Sequence, residues 1–313
     1  MSGEITDINY YLPKQKISIK DLCKKYKWPY EKIISATGIK FKHTATKKES
    51  ALNLAILACK KLKIKKDIDA LIYVTQSPEY ILPSTACLLQ DKLKLKKNIL
   101  AFDINQGCSG FVYALFTSFS FLKQKGIDNV LIVCSDTYTK YVKKGDRSCE
   151  TIFSDGASAT IIKKNPDKKY SFNFGTDGRG SKNLIVKNSG ANYNFKNTPE
   201  LFMDGKSVFL FTMSNIPKFI TNILKKNKVK INEIKYFVFH QASKTVIDNL
   251  RRKLNLPKKK VYCNYEKFGN TVSSTIPIAL FDLIKKKKII KGDKILLCGF
   301  GVGYSVAGGI IEY

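Results

Sequence analysis

The succession of apolar and polar positions along the chain occurs twice. An apolar run at 69–77 ends in polar residues, and so does one at 234–242. Each reads as a strand that stops at a turn. A helical pattern follows in both places, at 84–93 and 244–254, and then a short strand, at 99–104 and 260–264. Next comes a glycine turn, Gly107-Cys108-Ser109 in one stretch and Gly269-Asn270-Thr271 in the other. Long helical patterns at 110–125 and 274–287 lead into apolar strands at 130–134 and 294–298. A small-residue hairpin or edge strand at 156–162 and again at 304–311 closes both units. The glycine turns and the apolar strands keep nearly the same spacing, so the two stretches read as copies of one unit.

A repeated strand–helix–strand–helix–strand unit implies two similar α/β halves packed together, placed at 1–165 and 166–313. Strands that are apolar throughout imply sheets covered on both faces. The helical stretch after Cys108 carries Phe111, Val112, Ala114, Leu115, Phe116, Phe119, Phe121 and Leu122 around most of its circumference. A helix apolar all round belongs inside a protein. Helices 109–124 and 273–286 are therefore expected between two mixed sheets, in five layers, αβαβα. The stretch 175–202, with its Gly, Asn and Ser, is expected as a loop that joins the halves and covers the site.

Composition narrows the choice. At 313 residues and 44% hydrophobic, the chain can bury a large core. Its cysteines, at 23, 59, 87, 108, 134, 149, 263 and 298, form no Cys-x-x-Cys pair, and its histidines are His43 and His240. Neither a disulfide framework nor a zinc site is expected. No apolar run approaches the roughly 18 residues of a membrane span. The start carries acids and no apolar leader pattern, so a cytoplasmic location is expected. The formal charge of +30 is nearly all lysine. It reads first as a compositional bias. The lysines are spread evenly with no recognition motif, which argues against nucleic-acid binding. The excess also suits an acidic protein partner.

Candidate chemistry centres on Cys108. It follows a strand and a glycine and opens a buried helix. A helix N-terminus offers free N–H donors and partial positive charge, which is expected to push a thiol toward thiolate. The same donors can hold an oxyanion when a thioester is attacked. Asn270 takes the place in the second half that Cys108 takes in the first. His240 ends the matching strand. Two-fold packing brings the three to one point. Cys108 would accept an acyl group. His240 and Asn270 would supply neutral N–H donors to the enolate left when a malonyl thioester loses carbon dioxide. The turn Gly299–Gly303 follows an apolar strand and could set a backbone N–H opposite Cys108.

These residues match a known pattern. Tyr11-Leu12-Pro13, Thr37-Gly38-Ile39 with His43, Leu82-Pro83-Ser84, the stretch 103–110, Asp155-Gly156-Ala157, His240-Gln241-Ala242 and Gly269-Asn270-Thr271 stand in the family's order. End to end, the chain resembles the β-ketoacyl-acyl-carrier-protein synthase III family of thiolase-fold condensing enzymes. The resemblance implies an acyl-CoA donor, a malonyl-carrier-protein acceptor, a homodimer and no cofactor. It makes Cys108, His240 and Asn270 catalytic. It puts the oxyanion hole at the backbone N–H groups of Cys108 and of Gly301, Val302 and Gly303.

The chain also departs from the family. Lys32 and Ala36 stand where a tryptophan and an arginine usually clamp the CoA adenine, while Arg147 keeps a phosphate contact. Leu82 is expected to influence the acyl pocket. Thr245 replaces a carrier-protein arginine, and Lys244, Arg251 and Arg252 on the same helix are expected to serve instead. The departures leave room for a specialised paralogue using a longer or carrier-bound donor in a secondary-metabolite or glycan pathway. A hydroxymethylglutaryl-CoA synthase relative would need an acid near Gln76, and Glu79 is three residues away. The chain is short for a chalcone-synthase-like enzyme. A non-catalytic scaffold subunit would lack the nucleophile that Cys108 supplies.

Overall fold

The computed structural model describes residues 3–62, 64, 67–168 and 170–313. Met1 and Ser2, at the acid-bearing start, lie outside the described residues. The first sheet contains β1 (Glu4–Tyr11), β4 (Ala70–Val74), β5 (Leu100–Ile104), β6 (Asn129–Asp136) and β7 (Gly156–Lys163), in the order β1-β7-β6-β4-β5. The second contains β8 (Phe172–Thr176), β11 (Ile234–Phe239), β12 (Lys294–Gly301) and β13 (Ser305–Glu312), in the order β11-β12-β13-β8. Both are mixed. β4 runs parallel to β6, and β11 parallel to β12; β7 and β13 then turn back antiparallel. Read from the β8 edge, the second sheet repeats the first strand for strand, except that among the described residues no strand stands where β5 does.

That exception corrects the sequence reading of a strand at 260–264. Only an isolated bridge forms there, Phe237 to Val261. Pro257 opens a 3-10 turn over Lys258–Lys260. Tyr262 Oη then donates to Asp282 Oδ2 at 3.2 Å, and Asn264 N donates to Gln241 Oε1 at 2.9 Å. The segment spends its hydrogen bonds on these local partners instead of on a ladder.

Alternation along the strands builds the layers. Ala70, Ile72 and Val74 face a core shared with α5 (Gly110–Phe121) and α10 (Thr275–Lys285). Leu71 and Tyr73 face α3 (Ala51–Lys60) and α4 (Thr85–Lys92) on the other side. In the second sheet Ile295 and Leu297 join the central core, while Leu296 and Cys298 pack with α7 (Gly205–Asn227) and α8 (Lys244–Lys253). The result is five layers, with α5 and α10 between the sheets. Phe111, Val112, Ala114, Leu115 and Phe119 are buried on α5.

The stretch 175–202 is not simply a loop. It contains a hairpin of β9 (Leu184–Lys187) and β10 (Glu200–Met203). Leu184 and Leu201 turn inward against Tyr138 and Phe153, with Val186 and Met203 beside them. The Gly, Asn and Ser residues that suggested a loop lie partly in the 3-10 turn Gly178–Asn183 before the hairpin and partly at its tip. A smaller ladder pairs β2 (Lys16–Ser18) with β3 (Phe41–His43). The short helices α1 (Ile19–Tyr26), α2 (Tyr30–Thr37), α6 (Arg147–Glu150) and α9 (Tyr265–Phe268) complete the chain. Among the described residues no helix is long and apolar enough to cross a membrane.

Candidate active site

Cys108 lies in a 3-10 turn, Gly107–Ser109, that runs straight into α5. Gly107 takes φ 48°, a left-handed value that glycine accepts without strain. A Cβ there would collide with Gln76 Oε1 and lie 2.8 Å from Val302 Cγ1. β12 crosses the turn equally closely. A Cβ on Gly299 would lie 2.6 Å from the Cys108 carbonyl oxygen, and one on Gly301 would lie 3.2 Å from Cys108 Sγ. The glycines of both halves are what let two backbones meet at the sulfur. Ser109 Oγ and Ser305 Oγ, 2.7 Å apart, tie the turn to the start of β13.

The electrostatics of the thiol differ from the sequence expectation of a thiolate. Burial, and then the charge of Asp136, push the Cys108 thiol up to about 12. The backbone N–H groups of Cys108 and Val302 reach the sulfur and pull the other way, but they do not outweigh the loss of water. The resting nucleophile is a thiol. Of the 301–303 turn, Val302 is the residue whose N–H faces the sulfur.

His240 follows β11, and its backbone N–H donates to Cys298 O at 2.9 Å. The ring is buried, and burial lowers its pKa to about 3. It is therefore neutral at physiological pH. Its Nδ1 lies 2.7 Å from Thr275 Oγ1, the partner that the sequence did not disclose. Thr275 Oγ1 is also 3.1 Å from the Val272 carbonyl oxygen. Asn270 is fixed from both sides. Its backbone N–H donates to Ile152 O at 3.0 Å, and its Oδ1 accepts from Val272 N at 2.9 Å. With the oxygen taken, the Nδ2–H groups are the part of the amide free to face a ligand.

Cys108, His240 and Asn270 line one cavity of about 370 Å³ together with Phe153, Leu184, Phe300 and Gly301. A second cavity, about 590 Å³, shares Ala36, Thr37, Ile152, Met203 and Gly205 with it and reaches Lys32 and Arg147. The two form a passage from the α2 and α6 surface down to the sulfur. Lys32, Ala36 and Arg147 thus stand together at its outer end. Leu82 does not join them. It is 80% exposed, in a run with exposed Tyr80 and Ile81, and is not among the residues that line either cavity.

The three residues of α8 part company. Lys244 is half-exposed and paired with Asp248 at 2.9 Å. Arg252 is exposed. Arg251 is part-buried, and its Nη1 donates to Leu256 O at 3.3 Å. Arg251 stands in the last turn of α8, so its guanidinium reaches a carbonyl just beyond the helix end.

Sequence reasoning missed four residues beside the site. They are Thr275, Gln76, Tyr138 and Asp136. Asp136 is buried, accepts from Gln76 N at 2.7 Å and from Ser273 Oγ at 2.6 Å, and is pushed up to about 6 by burial. The one available signal was a carboxylate two residues after the apolar strand 130–134.

A buried thiol opposed by a neutral histidine and an oriented amide, between two duplicated αβ halves, defines a condensing enzyme of the thiolase fold. Family models agree. Residues 102–178 match the 3-oxoacyl-[acyl-carrier-protein] synthase III model, and residues 224–313 match its C-terminal model. The chain is 33% identical to the β-ketoacyl-[acyl-carrier-protein] synthase III of Fusobacterium nucleatum, over 99% of this chain and 98% of that one. It is 33% identical to that of Aquifex aeolicus over the whole of both. A crystal structure of a 3-oxoacyl-(acyl-carrier-protein) synthase III superposes with TM-score 0.95 at 35% identity, covering both chains completely. The chain belongs to the β-ketoacyl-acyl-carrier-protein synthase III family.

Proposed function

We propose that Cys108, His240 and Asn270 carry out the family's two half-reactions in the shared cavity. In the first, Cys108 Sγ attacks the carbonyl carbon of an acyl-CoA. His240 Nε2 takes the thiol proton, and the CoA sulfur leaves with it. In the second, malonyl-carrier protein enters along the same passage and loses carbon dioxide. The electron pair moves to the thioester oxygen as an enolate, held by His240 Nε2–H and an Asn270 Nδ2–H. The carbanion attacks the Cys108 thioester. The tetrahedral oxygen is held by the Cys108 and Val302 N–H groups, and the sulfur leaves as β-ketoacyl-carrier protein forms.

Both roles of His240 are compatible with Thr275. A hydroxyl that donates to Nδ1 leaves the proton on Nε2, the form the enolate needs. A hydroxyl that accepts from Nδ1–H and donates to Val272 O leaves Nε2 bare, the form that takes a proton.

Lys32 and Arg147 at the outer end suit the phosphates of CoA or of the carrier's prosthetic arm. Lys244, Arg251 and Arg252 are the α8 cations that would meet an acidic carrier, with Arg252 the freest of them. The exposed Tyr80, Ile81 and Leu82, and the edge strand β5 with half-exposed Leu100, favour burial against a second copy of the chain. No cofactor enters the scheme. The observation that carries the reading is the convergence of the three side chains on one cavity.

Peptide mass spectrometry after incubation with acyl-CoAs tests it. Acylation of the Cys108 peptide, lost in Cys108→Ala, is expected. Asn270→Ala should acylate yet fail to condense, while His240→Ala, which loses the acceptor of the thiol proton, should acylate more slowly and also fail to condense. Normal condensation by either variant would overturn the assignment.

A further inference from the structure

The turn that follows Asn270 copies the shape of the turn that carries Cys108. Each is a short 3-10 turn, Gly107–Ser109 and Val272–Ser274, that runs into an inner helix. Each opens on a left-handed residue, Gly107 at φ 48° and Val272 at φ 53°. By structure, the middle residue of the second turn is Ser273, three residues past Asn270. The strand ends that face the two turns are exchanged between the halves. Gly301, at the end of β12, faces Cys108, and a Cβ on it would lie 3.2 Å from the sulfur. Asp136, at the end of β6, faces Ser273 and accepts from its Oγ at 2.6 Å.

The second turn is strained and the carboxylate is buried. Glycine takes φ near 50° freely, but the branched Cβ of a valine crowds the backbone there. Asp136 is fully buried, and its partners among the described residues are N–H and O–H donors. Besides Ser273 Oγ, they are Gln76 N at 2.7 Å and the hydroxyls of Thr75 and Ser77 at 3.4 Å. Val272 is also where the site's two donors are tied down. Its N–H donates to Asn270 Oδ1 at 2.9 Å. Its carbonyl accepts at 3.1 Å from Thr275 Oγ1, the hydroxyl beside His240 Nδ1. A return of Val272 to negative φ turns its N–H or its carbonyl away from these partners. Ser274 Oγ, which donates to Cys134 O at 2.9 Å, is a second attachment of the turn to β6.

We propose that Asp136 is a positioning residue for decarboxylation: through Ser273 it clamps the strained 272–274 turn of one half to β6 of the other, and so sets the Asn270 amide and the His240 ring for the enolate. The inference rests on the reading of Asn270 and His240 as the enolate's donors. Cys108 is fixed by its own turn and by β12, so the clamp acts on the second half-reaction and spares the first. Strain held by surrounding structure at a working turn is a recurrent device of active sites.

The test measures two rates on each protein. One is acylation of Cys108 by acetyl-CoA. The other is carbon dioxide release from malonyl-carrier protein by the acylated enzyme, with kcat and KM separated. Ser273→Ala removes the hydroxyl, and Asp136→Asn keeps the shape but sets N–H donors against donors. Both should lose about 10- to 100-fold in kcat for carbon dioxide release, with KM and acylation nearly unchanged. Acylation by Asp136→Asn should not fall, because the charge that raises the Cys108 thiol is gone. Ser273→Thr, which keeps the hydroxyl, should restore most of the rate. So should Val272→Gly added to Ser273→Ala, because glycine holds φ near 50° without a clamp. A merely structural role predicts a further loss in that double variant. If Asp136→Asn does not fold, Ser273→Ala, which deletes a single oxygen, decides. Normal carbon dioxide release by Ser273→Ala, where Asn270→Ala has lost it, would overturn the clamp and leave the donor reading standing. So would an equal fall in both rates. Normal release by Asn270→Ala would remove the donor reading and the clamp with it.

Discussion

A thiol held at about 12 is almost wholly protonated at pH 7. The sign follows from its causes. Burial and the neighbouring Asp136 raise it, so reactivity toward a small alkylating agent should climb with pH. Iodoacetamide labelling of Cys108 is expected to rise about tenfold per pH unit between 7 and 9, with no plateau. An inflection below pH 7 would mean that the N–H groups of Cys108 and Val302 outweigh burial after all. Thr275 supports a second expectation. Thr275→Val removes the hydroxyl at His240 Nδ1. Condensation should fall by about 10- to 100-fold, as for other orienting partners of a working histidine. Thr275→Ser should restore most of it, which a purely structural role for the methyl would not allow. Stopped-flow carbon dioxide release checks both variants. The sequence disclosed Cys108, His240 and Asn270 because the repeat gives them equivalent positions. It hid Thr275, Gln76 and Tyr138, because what they touch is fixed by packing between segments 35 to 62 residues apart.

At the scale of elements, the repeat located most strands and both inner helices, since burial on two faces writes long apolar runs. It failed where local hydrogen bonding overrode a pattern. Segment 260–264 has the apolar residues of a strand, yet the Tyr262 hydroxyl donates to Asp282 and the Asn264 backbone N–H donates to the Gln241 side chain. The hairpin β9–β10 was obscured by the composition of its tip. The approach of β12 to the Cys108 turn gives a contrast between neighbouring glycines. A Cβ on Gly299 meets backbone, the Cys108 carbonyl oxygen at 2.6 Å and Ser109 Cα at 2.7 Å. Nothing there can rotate away, so Gly299→Ala should cost about 1–3 kcal/mol of stability. A Cβ on Gly301 meets Cys108 Sγ at 3.2 Å. A side chain can give, but this one is the nucleophile. Gly301→Ala should keep its thermal midpoint near the wild type and lose about 100-fold in acylation rate, as a small misplacement of reacting atoms does. Differential scanning calorimetry and acylation kinetics separate the two. Equal effects on stability would show that the sulfur cannot move.

For the whole molecule the dominant quantity is charge. The chain carries 55 Lys and Arg against 25 Asp and Glu. Its ion pairs are mostly between exposed groups, such as Lys40–Glu266 and Lys143–Glu200, and pairs of that kind contribute little. The excess positive charge therefore repels itself in the compact state. Salt shortens the range of that repulsion from about 30 Å at 0.01 M to about 8 Å at 0.15 M. The thermal midpoint should rise by about 2 °C over that interval, the shift that roughly 1 kcal/mol produces in a chain of this length. The same screening weakens attraction to an acidic carrier protein, so the KM for malonyl-carrier protein should increase over the same interval. Stability and carrier affinity should move in opposite directions with one variable, because one charge distribution drives both. A midpoint that falls with salt would mean that the surface pairs matter more than the net repulsion. A KM that ignores salt would place carrier recognition in the apolar contacts at the mouth of the passage and remove Lys244, Arg251 and Arg252 from it.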